Sequence, residues 1–134
     1  MKATLMKATL ALLIVSGLLT VGARPAGAQD PVKLSPKMYT VLLENEQVRV
    51  LEFRAKPGEK EPTHSHPAAV IYPLADGKIK LTMPDGKSEV LESKAGAALW
   101  SGPVTHSYEN LATTDARVLI IELKSASSPD AGPQ

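Results

Sequence analysis

All three histidines of this 134-residue chain belong to one pattern. His64 and His66 are separated by a single residue, and His106 follows forty residues after His66 in a second turn-rich stretch. Side chains on an extended strand alternate with a period of two, so a His-x-His presents both imidazoles on one face. A third imidazole from a neighbouring strand completes one side of a metal site. Neutral imidazole is the commonest protein ligand for Zn, Cu, Fe and Ni. The expected cofactor is therefore one divalent metal ion (Zn, Cu, Fe, Ni or Mn) on His64, His66 and His106. Ser65 between the first two histidines does not make a catalytic triad. Such a nucleophile also needs a base and an orienting acid in known geometry, and no nucleophile-elbow sequence is present.

The elements that must position these residues read as strands. Helical periodicity is nearly absent between Met38 and Leu123. Tyr39 to Leu43 and Val48 to Phe53 flank a polar turn and read as a hairpin. His64 to Leu74 reads as one strand with an irregularity at Pro67. In Lys78 to Met83, Ile79, Leu81 and Met83 alternate with Lys78, Lys80 and Thr82, the pattern of a strand with one wet face. Pro84-Asp85-Gly86-Lys87 is a hairpin turn into Ser88 to Glu92. Ala97 to Trp100, His106 to Asn110 and Arg117 to Leu123 complete about eight short strands. Regular spacing of that kind favours an all-β sandwich or barrel.

The ends have a different composition. Lys2 and Lys7 precede an uncharged run from Ala8 to Ala23, and Ala26-Gly27-Ala28 supplies small residues for cleavage. Residues 1–28 therefore read as a secretory signal peptide, and the mature chain is expected to begin at Gln29. The apolar run is shorter than the roughly 20 residues of a membrane span, so no stable membrane insertion is expected after cleavage. An exported protein, periplasmic or secreted, follows as the expected location. The chain has no cysteine, which excludes a disulfide framework and a lipid-anchored cysteine start. Losing Lys2, Lys7 and Arg24 with the signal takes the formal charge from +1 to −2. No basic patch remains to argue for nucleic acid. The remainder fits a single domain: an extended segment at 29–37, a β-barrel domain at 38–124 and a disordered Ser/Pro/Gly-rich tail at 125–134.

At these residues the chain resembles the cupin superfamily. The first cupin motif, G-x5-H-x-H-x3-E-x6-G, is met by Gly58, His64, His66 and Gly77, with Val70 where the motif has glutamate. In the second motif His106 and Asn110 match. Gly96 approximates the first glycine with one residue missing, and Ser101 and Pro103 replace the motif's proline and glycine. The resemblance covers about Val48 to Leu123. It implies a single-domain, cupin-type jelly-roll barrel holding a metal inside on the three histidines. Since Val70 cannot ligate, the implied donor set is three neutral imidazoles with open positions. Cupin thiol dioxygenases resemble that arrangement, and it also suits Zn-assisted hydrolysis.

Strand parity places Val70, Tyr72 and Leu74 on the same face as His64 and His66, provided Pro67 introduces no bulge. It places Tyr108 and Asn110 with His106. Tyr72 and Tyr108 are the candidate catalytic residues, as hydrogen-bond donors or acids beside the metal. Glu52 and Glu122 interrupt apolar strands and read as solvated, with Arg54 or Arg117 as cross-strand partners; if inward, either replaces the missing carboxylate. Trp100 reads as core or dimer interface. The functional expectation is a metal-dependent, dioxygenase-type oxidoreductase acting on a small-molecule ligand. The alternative is a non-catalytic module that binds metal or a small ligand; a homodimer fits either.

Overall fold

In a computed structural model of the protein, residues 29–125 are described; the expected signal segment 1–28 and residues 126–134 of the expected tail lie outside them. Nine strands form among the described residues: β1 (Tyr39–Glu44), β2 (Val48–Ala55), β3 (Lys60–His66), β4 (Ala69–Pro73), β5 (Gly77–Thr82), β6 (Ser88–Ser93), β7 (Leu99–Ser101), β8 (Val104–Asn110) and β9 (Ala116–Leu123). They build two antiparallel sheets, ordered β1-β2-β9-β4-β7 and β3-β8-β5-β6. The sheets are not hydrogen-bonded to one another into a closed barrel, but the all-β, cupin-like architecture is the expected one. Among the described residues no helix is long and apolar enough to cross a membrane.

The expected single strand His64 to Leu74 is two strands. Pro67 has no N–H to give a ladder, and the chain changes sheets there. β3 pairs with β8 in one sheet, and β4 pairs with β7 and β9 in the other. The inner faces follow from alternation. On β2, Leu51, Phe53 and Ala55 are buried, with Arg49 in phase with them. On β9, Ala116, Ile120 and Glu122 are buried. The core is small, and Ala55, Ala69 and Ala116 are three of its eight apolar members. So many short side chains leave space between the sheets rather than filling it.

The segment at 29–37, expected to be extended, carries one helical turn, α1 (Pro31–Leu34). Asp30 caps it by accepting from the Val32 N–H at 3.1 Å, and Pro31 is preset for a first helical position. This segment covers the outer edge of β3, where the Ser65 N–H donates to the Gln29 carbonyl at 3.0 Å. Covering an edge strand in this way removes a template for unwanted pairing.

Arg49 holds the segment in place with both guanidinium nitrogens on the Asp30 carboxylate, each at 3.1 Å. Burial alone would raise the Asp30 pKa. The bonds from Arg49 and from the Val32 N–H outweigh it and hold the carboxyl below its ordinary value. A depressed carboxyl contributes stability that is complete above its unfolded pKa and is lost as pH falls through the folded one. Asp30→Asn keeps the cap and removes the charge, so it should cost about 1 kcal/mol near neutral pH. The stability curves of the two proteins should converge in acid, as urea melts at a series of pH values would show.

Candidate metal centre

β3 and β8 carry the histidines, and their register brings His64 directly opposite His106. His66 lies one pleat further along β3 on the same face. Ring centroids are 4.8 Å apart for His64–His66 and His64–His106, and 5.7 Å for His66–His106. One ligating nitrogen from each ring lies within 4.8 Å of the other two. Bonds to a Zn-like ion are roughly 2.0–2.1 Å, so modest side-chain adjustment brings all three nitrogens onto one ion. The convergence expected from His64, His66 and His106 is present.

Hydrogen bonds at two of the rings set which nitrogen each offers, while His106 Nδ1 has no partner. A carbonyl can only accept, so His64 Nδ1 carries a proton and donates to the Pro62 carbonyl at 2.8 Å. His66 Nδ1 donates to Glu122 Oε1 at 2.7 Å. In the neutral form of each of these two rings the proton is therefore on Nδ1, and Nε2 is the ligating nitrogen. A carboxylate behind a ligating histidine fixes its tautomer and raises its basicity. Burial lowers the pKa of His64 to about 4, with the nearby His66 adding to the effect. Burial and its two neighbouring rings do the same to His106. Both imidazoles are neutral near pH 7, the form that ligates. Converging imidazoles, two of them with their Nδ1 held by hydrogen bonds, fit a divalent metal ion.

Two carboxylates stand at this centre, and neither occupies the Val70 position. Glu122 was expected on a solvated face but is 2% exposed. It sits on the inner face of β9, opposite Arg49 on β2 and Ala69 on β4. Its second oxygen accepts from Arg49 at 2.7 Å. Burial pushes its pKa up, and the bonds from His66 and Arg49 overcome that and keep it below the ordinary value. Glu122 is thus a partner of His66 rather than a free ligand. Glu52 behaves as expected, outward and paired with Arg54 at 2.7 Å and Arg117 at 3.0 Å.

Glu61 is the residue that the sequence reading missed. It is buried, with Oε2 accepting from the Tyr39 hydroxyl at 3.0 Å. Its Oε1 lies 3.4 Å from His64 Nδ1 and has no hydrogen-bond partner. Burial lifts its pKa to about 7, against the Tyr39 hydrogen bond and the nearby Ser35, which favour the charged form. Glu61 is three residues before His64, which strict alternation would put on opposite faces. Glu61 pairs with Tyr108 and His64 with His106, so β3 spends three residues where β8 spends two. That extra residue is a β-bulge, and it turns Glu61 inward.

Tyr108 is also where parity put it. It is buried on the inner face of β8, against Phe53 in an edge-on contact at 4.9 Å. Its hydroxyl has no partner, and burial, followed by the field of Glu61, raises its pKa. Asn110 shares that face but serves the backbone. It donates to the carbonyls of Ala55 at 3.1 Å and Thr114 at 3.0 Å. Its own N–H and carbonyl join the turn around Gly58, whose φ of 76° suits glycine.

Tyr72 is not at the centre. The change of sheet at Pro67 reverses the phase, so Ala69, Ile71 and Pro73 line the interior while Tyr72 is 38% exposed. Val70 likewise faces away, between Ile121 and Trp100 in register. The expectation that Val70 borders the three histidines is corrected on the same ground. Val70→Glu should therefore leave relative affinities for Mn, Fe(II), Zn and Cu unchanged, as competition titrations would show.

Between the sheets a cavity of about 440 Å³ opens onto the three histidines. Glu61 and Tyr108 lie at its histidine end, and Leu99 and Trp100 are exposed at its rim.

No family model matches the chain, and no curated protein matches it. Solved structures do. A cupin domain from Bordetella pertussis Tohama I is 30% identical, aligned over 65% of this chain and 92% of its own, with a TM-score of 0.61. A double-stranded β-helix protein from Klebsiella pneumoniae is 23% identical over 66% and 77%, with a TM-score of 0.52. An RmlC-like cupin family protein from Methanocaldococcus jannaschii shares 16% identity over 64% and 78%, also at 0.52. The last two share the fold. With the Bordetella domain matched over nearly its whole length, this chain belongs to the cupin superfamily.

Proposed function

We propose that this chain is an exported, mononuclear metal-dependent enzyme, a dioxygenase-type oxidoreductase acting on a small organic molecule. The observation carrying the reading is the one-sidedness of the centre. His64, His66 and His106 occupy one side, and the other side faces a cavity instead of a fourth side chain. A metal ion there would supply Lewis acidity and, where redox-active, electrons. The chain's own groups would orient the substrate and handle its proton. Glu61 Oε1 can accept one and the Tyr108 hydroxyl can donate one, and both atoms are unpartnered. The walls between the sheets would exclude water. Export rests on the character of residues 1–28.

Donor chemistry bears on which ion is held. Three neutral imidazoles without a carboxylate ligand follow the general affinity order, with Cu(II) above Zn and both above Fe(II) and Mn. The metal-free protein should bind one equivalent of Cu(II) or Zn more tightly than Fe(II) in a competition titration. Metal analysis of protein from its native compartment then tests the activity. Copper or iron sustains the oxidoreductase reading. Zinc replaces it with hydrolysis or a non-catalytic binding role. Displacement of Zn by Fe(II) would mean that an oxygen ligand, with Glu61 the nearest, completes the set.

A further inference from the structure

We infer that the cavity takes a small, predominantly apolar molecule with a single hydroxyl head, an alcohol or a phenol. Its head lies at Glu61 and Tyr108, and its body extends toward Leu99. The inference builds on the proposed small-molecule site but stands on the cavity's own chemistry. Its volume, about 440 Å³, falls within the roughly 300–1,000 Å³ of small-molecule pockets.

Polar demand is concentrated at one end. Besides His106 Nδ1 on the metal face, two buried side-chain atoms among the described residues lack a partner, the acceptor Glu61 Oε1 and the Tyr108 hydroxyl. Buried polar groups are otherwise paired almost without exception, so these two call for a ligand atom or water. A hydroxyl answers both, since it donates to the carboxyl oxygen and accepts from the phenol. A bare carbonyl or ether would leave Glu61 without a donor.

Beyond that end the wall has little to offer a polar ligand. Ala69, Ile71, Ile79, Leu81, Val118 and Ile120 line it; of its two serines, Ser93 and Ser101, the second donates its hydroxyl to the Gly102 carbonyl at 3.0 Å. Arg117, the lining cation, is committed to Glu52 at 3.0 Å. Glu92 at the edge of the lining has the wrong sign for an anion. A polyol or a dianion would surrender its hydration there without replacement, at a heavy cost. The rim is apolar too. Leu99, in register with the lining Ile71, is 48% exposed there, and Trp100 adjoins it on the outward face shared with Val70.

Trp100, the chain's one tryptophan, is next to Leu99 on the short β7, so its emission reports on changes in that strand. The full exported chain, metal-free and Zn-loaded, is titrated with 4-phenylbutan-1-ol and with sorbitol, molecules of similar size and opposite polarity. The phenylalkanol should change the emission saturably, with a dissociation constant roughly tenfold or more below that of sorbitol. Tyr108→Phe and Glu61→Gln should each weaken phenylalkanol binding by roughly three- to tenfold. Neither should alter the binding of butylbenzene, which has no hydroxyl, and that separates a lost contact from a damaged fold.

Equal binding of sorbitol, or no saturable response to the phenylalkanol in either state, overturns the inference. So does equal weakening of alcohol and hydrocarbon by the two substitutions. Phenylalkanol binding by a protein that takes up no metal would leave this inference intact and remove the metal reading. Metal uptake with no response to the phenylalkanol would do the reverse.

Discussion

Alanine at His64, His66 or His106 should each reduce bound metal from about one equivalent to near none after exhaustive dialysis, since a catalytic-type site holds its ion through three protein ligands. The three rings are the donors that the fold brings together, and among the described residues they form the one His/Cys/Asp/Glu cluster with ligand atoms that close. The nearby carboxylates do not substitute. Glu122 is bound to His66 and Arg49, and Glu61 Oε2 is held by Tyr39. The loss is separable from misfolding by a thermal melt. Saturating Zn at a thousand times the dissociation constant should stabilise the native protein by about 4 kcal/mol. The variants should melt cooperatively and gain none of it. A variant that retains Zn-induced stabilisation would remove its histidine from the ligand set.

The second large effect is expected at Glu122. Its two oxygens join the metal face to the far side of the molecule, one on His66 and the other on Arg49, which also grips Asp30. Glu122→Gln keeps the shape but weakens the hold on His66, so metal affinity should fall roughly 10- to 100-fold. Glu122→Ala should also cost stability. Arg49 is 17% exposed and would keep only Asp30, so about 3 kcal/mol, the low end for breaking a buried pair, is expected. Pairing Glu122→Leu with Arg49→Met should recover much of that stability, because hydrophobic replacement of a buried ion pair is often neutral or favourable. It should not recover metal affinity. If both properties recover together, the carboxylate does not act through His66.

What could be read in the chain divides along the rule of alternation. The strands, the His-x-His face and the partnership with His106 follow from a period of two and from turn residues. Tyr108 and Asn110 follow from the same rule along an unbroken strand. The errors fall where that rule is interrupted. The bulge between Glu61 and His64 turns inward an acid that counting turns outward. Pro67 ends one strand and starts the next in the opposite sheet, so Val70 and Tyr72 inherit the wrong phase. Glu122 lies in phase with Ala116 and Ile120 and was still assigned to water. An acid inside an apolar strand is usually exposed. Its two buried partners, Arg49 and His66, are 73 and 56 residues away in the chain.

The position of β9 governs the order in which this molecule comes into being. It is the last of the described strands in chain order, yet it lies between β2 and β4 at the middle of the five-stranded sheet. Val48 pairs with Leu123 and Ala69 with Glu122. Until that final stretch exists, β2 and β4 each have one open side, and His66 has no carboxylate behind it. Folding must then close long loops before it gains the contacts that reward them, which slows nonlocal sheets. Incomplete chains meanwhile expose strand edges that invite self-association. The strands that carry the three histidines precede β9 in the chain, and the carboxylate that supports His66 comes last. A protein shortened by β9 is not a weaker version of this one, but a chain in which the large sheet cannot form and His66 stands without its carboxylate.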